Sequence, residues 1–592
     1  MTQIKERLAA LRQSMKSAGI SACIIPGTDP HAGEYIADYW KERVWITGFT
    51  GSAGTAAVTI DKAGLWTDSR YFLQGANQLK DTTIDLMKQG LPETPEIIPW
   101  LSEELKSGDK VAVNAQMFSV NAYANMKAEL KMSGIELVSL DLLKEIWTDR
   151  PALPNNPFFV FDVKYSGKTV SEKLVQLRAE LHKAHAQVFV MSALDDIAWL
   201  FNIRGNDVAF NPVVIAYALV DEEKAMLFVD MAKCTDASCD YLNGNGVVIA
   251  NYQDIYTQLR QIPADKVVMY DGNKLNQSLF EALPAECEKR VGMSPVFKLK
   301  SLKNEVEIAG IRKAMIKDGV ALTKFFIWLE EHVKDGSLTE VSIADKLRGF
   351  RAEQSNFIGE SFDTIAGYAG HGAIVHYSAT PETASTLKPE GILLLDSGGQ
   401  YLEGTTDITR TITLGKPTSK QKKDYTLVLK GHIDLAMAKF PVNTRGSQLD
   451  ILARKAMWDR GLNYGHGTGH GVGHFLNVHE GPQNIRMDEN PATLQTGMIT
   501  SNEPGMYRTD EYGIRTENLV LTVPAEKTEF GQFLRFETLT LCYIDTRLID
   551  KSMLTREEEK WLNDYHKNVY KKLSPYLSKA EKHWLDKKCK AI

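Results

Sequence analysis

Apolar residues recur at helical spacing near the start of the chain and then give way to short continuous apolar runs. Residues 4–15 carry the helical pattern, and SACIIPG follows as a buried strand that ends at Pro26-Gly27. VWITGF and GTAAVTI are predicted to form a pair of strands around the small-residue turn Thr50-Gly51-Ser52. The alternation of helix and strand continues through VAVNA, which predicts an α/β domain.

A second α/β pattern begins after a segment that lacks apolar periodicity. TDRPALPNNP, at residues 148–157, contains three prolines and two asparagines and is predicted to be a linker. Beyond it, a helix around residues 173–184 leads to the strands QVFVMSA, VVIAYALV and KAMLFVD. ITGFTGSAG and FNIRGNDVAFNP occupy equivalent places in the two patterns. We therefore predict two divergent copies of one fold.

The last part of the chain mixes long helical patterns with antiparallel-looking strands. SLKNEVEIAGIRKAMIKDGVALTKFF begins a long helix, for which Ser301 is the predicted N-cap and Glu305 lies in the first turn. ETLTLCYI is the last predicted strand, and the lysine-rich tail from Thr555 is predicted to be an amphipathic helical extension that packs on the domain without a chemical role. The predicted domains are residues 1–152, 153–300 and 301–592.

Composition limits the classes of function. A chain of 592 residues is too long for one core and should divide into about three or four domains. The net charge of -6 and the pI near 6.2 give no sign of a nucleic-acid surface. No apolar run approaches the roughly 18 residues that a membrane span requires. The six cysteines form no CxxC pair and the first helix lacks a signal-peptide pattern, so we expect reduced thiols and a cytoplasmic protein.

Side chains that bind hard cations are concentrated between residues 391 and 537. They are Asp396 in GILLLDSGG, Asp407 in GTTDITRT, His470 in HGTGHGVGHFLNVHEGP, Glu503 in TSNEPGMY and Glu517 in GIRTENLVL. A single aspartate of this kind could be an ordinary turn residue. Four carboxylates and an imidazole in apolar or glycine-rich surroundings instead indicate two divalent cations, because buried carboxylates are costly without a compensating positive charge. The set is rich in oxygen and lacks thiolate, which suits Mn²⁺, Mg²⁺ or Co²⁺ better than structural zinc.

The sequence also predicts how these ligands are arranged. Asp396 and Asp407 are expected on consecutive strands joined by a turn at Gly398-Gly399. Alternation in GIRTENLVL places Arg515 and Glu517 on one face of a strand. Glu517 is then expected to bridge the metals, and Arg515 to hold a carboxylate ligand from outside the metal pair.

The five ligands and the intact HGTGHGVGHFLNVHEGP segment resemble those of the pita-bread metallopeptidases. Within that family the chain is similar to aminopeptidase P, the Xaa-Pro aminopeptidase, in its long three-domain form. EYIADYWKERVWITGFTGSAGTAAVT, LWTDSRYFLQGANQ and DDIAWLFNIRGNDVAFNPV extend the similarity into the first two domains. The resemblance implies an α/β and α+β chain, with two tandem creatinase-like N-terminal domains before a pita-bread catalytic domain. It also implies a homodimer and two metal ions, with Mn²⁺ the first choice and Co²⁺ or Zn²⁺ as alternatives.

The resemblance assigns roles to individual residues. Glu503 would be both ligand and general base, His376 and His479 would contact the substrate and the transition state, and His466 would lie in the pocket beside them. His376 is part of GAIVHYS, which is expected to be a strand, and His466 precedes His470 by four residues, which a helix or turn would bring together. Other histidines are predicted to be structural: His371, His432 and His474.

Arg70, in WTDSRYF of the first domain, has two possible roles. On general grounds it is equally well explained as a surface ion pair with Asp68 or Glu34. The resemblance implies instead that Arg70 reaches the catalytic cleft and binds the peptide beyond the proline.

The implied activity is hydrolysis of the N-terminal Xaa-Pro bond of peptides by attack of a metal-bridging hydroxide. The Xaa-Pro bond lacks an N–H group, so peptidases that bind that group cannot hold it. A prolidase that cleaves only dipeptides would share all five ligands, but the extra domain with GFTGSAGT and TDSRY favours the aminopeptidase. A metal-free pita-bread peptide or histone chaperone, or a creatine hydrolase, is less compatible with an intact ligand set.

Overall fold

A computed structural model of the protein describes residues 2–592 and divides the chain into two compact units. The first unit comprises Met1–Val163 and Lys168–Phe297, and the second comprises Lys164–Gly167 and Lys298–Ile592. No helix within residues 2–592 combines the length and the apolar character needed to cross a membrane.

The first unit contains two sheets of six strands each, within the described residues. The strands of the first sheet are β1 (Ala22–Pro26), β2 (Thr55–Thr59), β3 (Ala63–Thr67), β4 (Asp85–Lys88), β5 (Lys110–Val113) and β6 (Glu136–Ser139). The short strands β7 (Phe159–Val160) and β9 (Ile203–Arg204) pair with each other. The strands of the second sheet are β8 (Val188–Met191), β10 (Ala216–Asp221), β11 (Ala225–Val229), β12 (Val247–Asn251), β13 (Val267–Tyr270) and β14 (Glu288–Val291).

The two sheets have the same strand order and the same pattern of directions. The orders are β4-β3-β2-β1-β5-β6 and β12-β11-β10-β8-β13-β14. In each sheet two neighbouring pairs near the middle are antiparallel and the outer pairs are parallel. This is the arrangement expected of two copies of one fold.

Helices accompany both sheets, and one of them lies where the sequence predicted a strand. VWITGF was expected to be a strand, but Glu42–Thr47 is a helix that ends at Gly48 in the left-handed conformation, with a φ of 76°. The helices of this unit are α1 (Thr2–Ala18), α2 (Glu42–Thr47), α3 (Phe72–Gln78), α4 (Ile97–Glu104), α5 (Val120–Met132), α7 (Val170–Lys183), α8 (Leu194–Leu200), α9 (Asp236–Gly244), α10 (Ile255–Arg260) and α11 (Gln277–Glu281). Residues of both units make up α6 (Val163–Ser166) and α12 (Pro295–Ser301).

The second unit combines long helices with antiparallel sheets, of which one has six strands in the order β21-β28-β27-β24-β22-β23 and the others described have two or three. Its strands are β15 (Phe357–Glu360), β16 (Ile365–Tyr368), β17 (Ile392–Ser397), β18 (Gly399–Tyr401), β19 (Gly404–Thr405), β20 (Ile408–Thr413), β21 (Lys439–Pro441), β22 (Gly469–Gly471), β23 (Glu480–Ile485), β24 (Ile499–Asn502), β25 (Gly505–Arg508), β26 (Tyr512–Arg515), β27 (Asn518–Thr528) and β28 (Gly531–Thr538). Its helices are α13 (Glu305–His332), α14 (Glu340–Ala352), α15 (Ser419–Ala436), α16 (Gly446–Trp458), α17 (Arg556–Leu573) and α18 (Lys579–Lys588).

The long helix α13 begins three residues later than the sequence predicted. Asn304, not Ser301, is its N-cap, and its side chain accepts hydrogen bonds from the amides of Val306 and Glu307. The Glu307 carboxylate accepts a hydrogen bond from the Asn304 amide in return, which completes a capping box. Ser301 lies at the end of α12. The box requires a spacing of three residues, which Asn304 and Glu307 have.

The C-terminal helices are part of the core of the second unit. One apolar cluster joins Ile311 of α13, Val428 of α15, Leu519 of β27 and Leu562 of α17. The predicted extension therefore packs on the domain, as expected, and contributes to its core. Burial of this apolar surface is the main force that holds α17 in place.

A buried histidine also attaches α17 to the rest of the unit. His566 is fully buried, and its Nε2 atom accepts a hydrogen bond of 3.1 Å from the Ile544 amide. Burial, and then the charge of Arg410, lower the pKa of His566 to about 4. An unfolded histidine has a pKa of about 6.5. The stabilising contribution of neutral His566 is therefore complete above pH 6.5 and is lost as the pH falls towards 4.

We predict that replacing this histidine flattens the pH dependence of stability. Between pH 7 and pH 5, the free energy of unfolding should fall by about 2 kcal/mol more in the wild type than in His566→Gln, because only in the wild type does residue 566 take up a proton when it becomes exposed in the unfolded state. Urea denaturation at several pH values measures the difference. The exposed His583→Gln variant should follow the wild type, and parallel curves for wild type and His566→Gln would contradict the prediction.

Candidate metal centre

The five predicted ligands lie on or beside five different strands of the second unit. Asp396 is within β17, Asp407 directly precedes β20, His470 is within β22, Glu503 directly follows β24, and Glu517 directly precedes β27. Strand ends are suitable places for such residues, because pairing fixes the backbone while the side chain stays outside the ladder.

The two aspartates are connected differently from the sequence-based prediction. β17 and β20 are antiparallel neighbours, with Asp396 opposite Thr409. The connection between them is not a turn at Gly398-Gly399, because the chain first forms the short strands β18 and β19 in another sheet. At Gly398 a Cβ atom would lie 2.1 Å from both the Ser361 hydroxyl and the Thr406 carbonyl, so this position needs glycine for close packing.

His470 has a fixed orientation towards two of the carboxylates. Its Nδ1 atom lies 2.8 Å from the Gly471 carbonyl, which can only accept, so Nδ1 carries the proton. Its Nε2 atom lies 3.3 Å from Asp407 Oδ2 and 3.5 Å from Glu503 Oε1. The Ser501 hydroxyl accepts from the His470 amide at 2.9 Å and donates to Glu503 Oε1 at 3.0 Å. One serine thus ties these two ligands together.

Glu517 completes a group of possible metal ligands with Asp407 and His470. Ligand atoms of these three residues all lie within 4.8 Å of one another. The Glu517 Oε2 atom accepts a hydrogen bond of 2.9 Å from the Thr409 hydroxyl, and the Glu517 amide donates to the Thr409 carbonyl at 3.1 Å. Thr409 therefore positions both the backbone and the carboxylate of Glu517.

Arg515 contacts the carboxylate cluster, but not from the strand position that was predicted. β26 ends at Arg515 and β27 begins at Asn518, so Arg515 and Glu517 do not share one strand. The Arg515 guanidinium instead binds Asp396 Oδ2 through Nη2 at 2.5 Å and through Nε at 3.2 Å. Alternation within one strand could not predict this contact, because it depends on the pairing of β17 with β20 and on the position of β26.

The donor set fits divalent cations. Asp396 Oδ1 and Glu517 Oε1 are buried and have no hydrogen-bond partner among the described residues. Such orphaned oxygens are rare because they lose the hydration energy of the carboxylate. Arg515 compensates only part of the charge of the four carboxylates. Oxygen ligands with a single imidazole match the preferences of Mn²⁺ and similar hard ions.

The pKa values reflect the same excess of negative charge. Burial, reinforced by the charges of Asp407 and Asp396, raises the pKa of Glu503 to about 7, although His470 and Arg515 oppose the rise. Burial also raises the pKa of Glu517, again with support from neighbouring carboxylates. For His470, burial lowers the pKa, but the hydrogen bond to Asp407 and the nearby carboxylates outweigh it and raise the pKa to about 9. Bound cations would remove these penalties.

His466 is connected to the centre through a tyrosine that sequence reasoning missed. The His466 Nδ1 atom lies 2.7 Å from the Gly467 carbonyl, so its Nε2 accepts the hydrogen bond of 2.7 Å from the Tyr507 hydroxyl. Tyr507 in turn accepts a hydrogen bond of 2.6 Å from Arg515 Nη1. His470 is on a strand, so no helix joins it to His466, and the proximity of the two histidines stays a prediction. No sequence signal distinguishes Tyr507 from an ordinary core tyrosine.

The other two predicted substrate histidines are placed as follows. The His479 ring stands nearly perpendicular to the His470 ring, with ring centroids 4.4 Å apart. His376 is not on a strand, because GAIVHYS falls in the segment between β16 and β17. The carbonyl of the preceding residue, Val375, accepts a hydrogen bond of 3.3 Å from Arg515 Nη2. The His479 ring therefore packs on the predicted ligand His470, and the backbone next to His376 binds Arg515.

Arg70 belongs to the first unit and binds Asp68. Its Nε and Nη2 atoms contact the two oxygens of Asp68 at 2.9 and 2.7 Å. This is one of the ion pairs considered from the sequence, and a role in substrate binding remains a prediction for Arg70.

Family models match the chain from residue 7 to its end. The Creatinase/Prolidase N-terminal domain matches residues 7–146 and again residues 149–307. Metallopeptidase family M24 matches residues 309–524, and the C-terminal region of peptidase_M24 matches residues 532–592. These matches confirm the predicted fold class of two creatinase-like domains followed by a pita-bread domain.

Individual relatives are similar over nearly the whole chain. A protein of Coprinopsis cinerea named "Probable Xaa-Pro aminopeptidase P" is 42% identical over 99% of this chain and 98% of its own. Aminopeptidase P2 of Arabidopsis thaliana is 41% identical over 98% of this chain and 88% of its own. The crystal structure of X-prolyl aminopeptidase from Caenorhabditis elegans, described as a cytosolic enzyme with a di-nuclear active site, superposes with a TM-score of 0.96 and 37% identity over 100% of both chains.

We predict that metal-free protein takes up two equivalents of Mn²⁺ and that Glu517→Gln binds the metal at least about tenfold more weakly, because it loses a charged ligand. Calorimetric titration after chelator treatment measures both stoichiometry and affinity. Glu511→Gln, at an exposed carboxylate that pairs with Lys420, is the matched control and should bind like the wild type. Equal Mn²⁺ affinity of Glu517→Gln and wild type would contradict the assignment of Glu517.

Proposed function

The chain belongs to metallopeptidase family M24 and, within it, to the aminopeptidase P family, and we propose that it removes the N-terminal residue from peptides whose second residue is proline. The observation that carries the proposal is the group formed by Asp407, His470 and Glu517, whose ligand atoms lie within 4.8 Å of one another. Buried oxygens of Asp396 and Glu517 that have no hydrogen-bond partner among the described residues support it. The similarity over almost the full chain supports the same activity.

We assign two divalent cations to this cluster, with Mn²⁺ as the first candidate and Co²⁺ or Zn²⁺ as alternatives. The residues that would hold them are Asp396, Asp407, His470, Glu503 and Glu517. Two such ions polarise the scissile carbonyl and make a water molecule more acidic. Arg515 keeps Asp396 in place, and Thr409 keeps Glu517 in place.

The protein's own groups would handle the protons and the developing charge. The Glu503 carboxylate, held at Oε1 by the Ser501 hydroxyl, is assigned as the base that accepts a proton from the attacking water. The same carboxyl group can return that proton to the proline nitrogen, which must be protonated before it leaves. His376 and His479 are assigned as hydrogen-bond donors to the substrate carbonyl oxygen as it becomes negative. His466 acts beside them through Tyr507.

The alternatives predict different substrates. A prolidase would cleave Xaa-Pro dipeptides and not longer peptides. The relatives that match more than nine-tenths of the chain carry aminopeptidase names, which favours longer peptides. A chaperone without metal is disfavoured, because metal-binding side chains occupy all five predicted ligand positions and those of Asp407, His470 and Glu517 offer ligand atoms within 4.8 Å of one another.

We also propose that the protein acts as a cytoplasmic homodimer that binds neither nucleic acid nor membrane. The cytosolic description of the Caenorhabditis elegans neighbour supports the location. The dimer rests on the family resemblance.

We predict that Glu503→Gln lowers kcat for an Xaa-Pro-Xaa tripeptide by about 10²–10⁴-fold, because the amide cannot accept the proton of the attacking water. The measurement is peptide cleavage followed by mass spectrometry, with an Xaa-Pro dipeptide in parallel. Glu511→Gln should retain wild-type rates. Cleavage of the dipeptide alone by the wild type would replace the aminopeptidase with a prolidase.

We predict that Arg70→Ala lowers kcat/KM for Xaa-Pro peptides of three or more residues by about one to two orders of magnitude, the effect of losing a charged hydrogen bond. Manganese uptake should be unchanged. Arg178→Ala, which removes a first-unit arginine that binds the Asp221 carbonyl, is the control. Equal activity of Arg70→Ala and wild type on an Xaa-Pro-Pro peptide would leave Arg70 with its ion pair to Asp68 as its only role.

A further inference from the structure

The segment that carries His376 has little regular structure of its own. It connects β16 to β17 and contains one short 3₁₀ helix, Ala369–Ala373, within the described residues. His376 lies beyond that short helix, where no strand ladder fixes the backbone. A histidine that donates to a developing negative charge must nevertheless be held accurately, because a displacement of about 1 Å can cost two orders of magnitude in rate.

Glu340 provides the missing support from the first turn of α14. This carboxylate is fully buried and accepts hydrogen bonds from both ends of the segment. Its Oε1 atom accepts from the Tyr368 amide at 2.8 Å, and its Oε2 atom accepts from the Ser385 amide at 2.7 Å. It also lies 3.0 Å from His371 Nδ1 and accepts from the Tyr377 hydroxyl at 2.9 Å.

These contacts hold the chain on both sides of His376. Tyr377, the residue that follows His376, binds Glu340, and the carbonyl of Val375, the residue that precedes it, binds Arg515, which in turn binds Asp396. Glu340 thus fixes one side of His376 to α14, while Arg515 fixes the other side to the metal centre. No other described carboxylate makes a comparable set of contacts to this segment.

The strength of the support comes from charge and burial. Hydrogen bonds to a buried carboxylate are stronger than those between neutral groups, and the N-terminus of α14 favours a negative charge at Glu340. The hydrogen bond to Glu340 raises the pKa of His371, because it stabilises the protonated ring. His371 was expected to be structural, and its contact assigns it to this support.

We propose that Glu340 is a positioning residue for the reaction, which acts by holding the His376 segment against the metal centre. The proposal rests on the substrate role given to His376 in the proposed function. If so, Glu340 affects the reaction only through the position of His376, and it does so without touching the metal ligands.

A double-mutant cycle tests the proposal. Glu340→Gln places an NH₂ group, itself a donor, opposite groups that donate hydrogen bonds to Glu340. It should lower kcat/KM for an Xaa-Pro-Xaa tripeptide by about ten- to a hundredfold. Because the loss of activity arises through His376, adding Glu340→Gln to His376→Ala should lower kcat/KM by less than about a further threefold. Calorimetric Mn²⁺ binding should not change. Additive losses, or no loss, would overturn the proposal.

Hydrogen exchange separates this proposal from the proposed function. In Glu340→Gln, amides of residues 369–387 should exchange faster, while those of the strands that carry the metal ligands keep their protection. This result does not depend on which peptide is cleaved, so it supports or overturns the positioning role even if the wild type cleaves no Xaa-Pro peptide. Unchanged exchange in residues 369–387 would overturn it.

Two further variants serve as a control and as a substitute for Glu340→Gln. Glu558→Gln is the matched control, since Glu558 is also a buried carboxylate in the first turn of a helix but binds Lys430 and the Thr555 amide. It should leave residues 369–387 protected. If Glu340→Gln does not fold, Tyr377→Phe removes only the donor beside His376 and enters the same cycle with the same expected coupling.

Discussion

The burial of four neighbouring carboxylates is the constraint on which the catalytic domain depends. Asp396, Asp407 and Glu517 are almost completely buried, and Glu503 lies beside them within reach of His470. Burial alone would favour protonation of such groups, and their proximity adds to the penalty. Among the described residues, Arg515 binds Asp396 through its guanidinium, while one oxygen each of Asp396 and Glu517 has no hydrogen-bond partner. The remaining charge calls for cations.

The surrounding residues orient the ligands without neutralising them. Thr409 and Ser501 donate neutral hydroxyl hydrogen bonds, which fix Glu517 and Glu503 at little electrostatic cost to metal binding. Arg515 does more, because it also reaches Tyr507 and the Val375 carbonyl. Through these contacts Arg515 links Asp396 to His466, which binds Tyr507, and to the backbone next to His376. The C-terminal helices α17 and α18 contribute apolar residues to the core of the same domain.

The sequence could propose five candidate ligands because each lies in a short distinctive segment, as Asp407 does in GTTDITRT, and their role as ligands stays a prediction. It predicted connections less well. Local periodicity does not encode which strands pair. It therefore could not predict the strands β18 and β19 between Asp396 and Asp407, or the break between Arg515 and Glu517. Supporting residues such as Tyr507 and Glu340 were missed for the same reason, since their contacts join segments far apart in the chain. The N-cap of α13 was misplaced because Ser301 and Asn304 are both good capping residues.

The most direct test of the account is anomalous diffraction at the manganese edge from crystals of the protein grown with Mn²⁺. We expect two manganese peaks roughly 3.5–4 Å apart. Each ion should be bound by carboxylate oxygens of the cluster, and one of them also by His470 Nε2. At least one of the orphaned oxygens, Asp396 Oδ1 or Glu517 Oε1, should be a ligand. No manganese at this cluster, or one ion that leaves both oxygens without a partner, would contradict it.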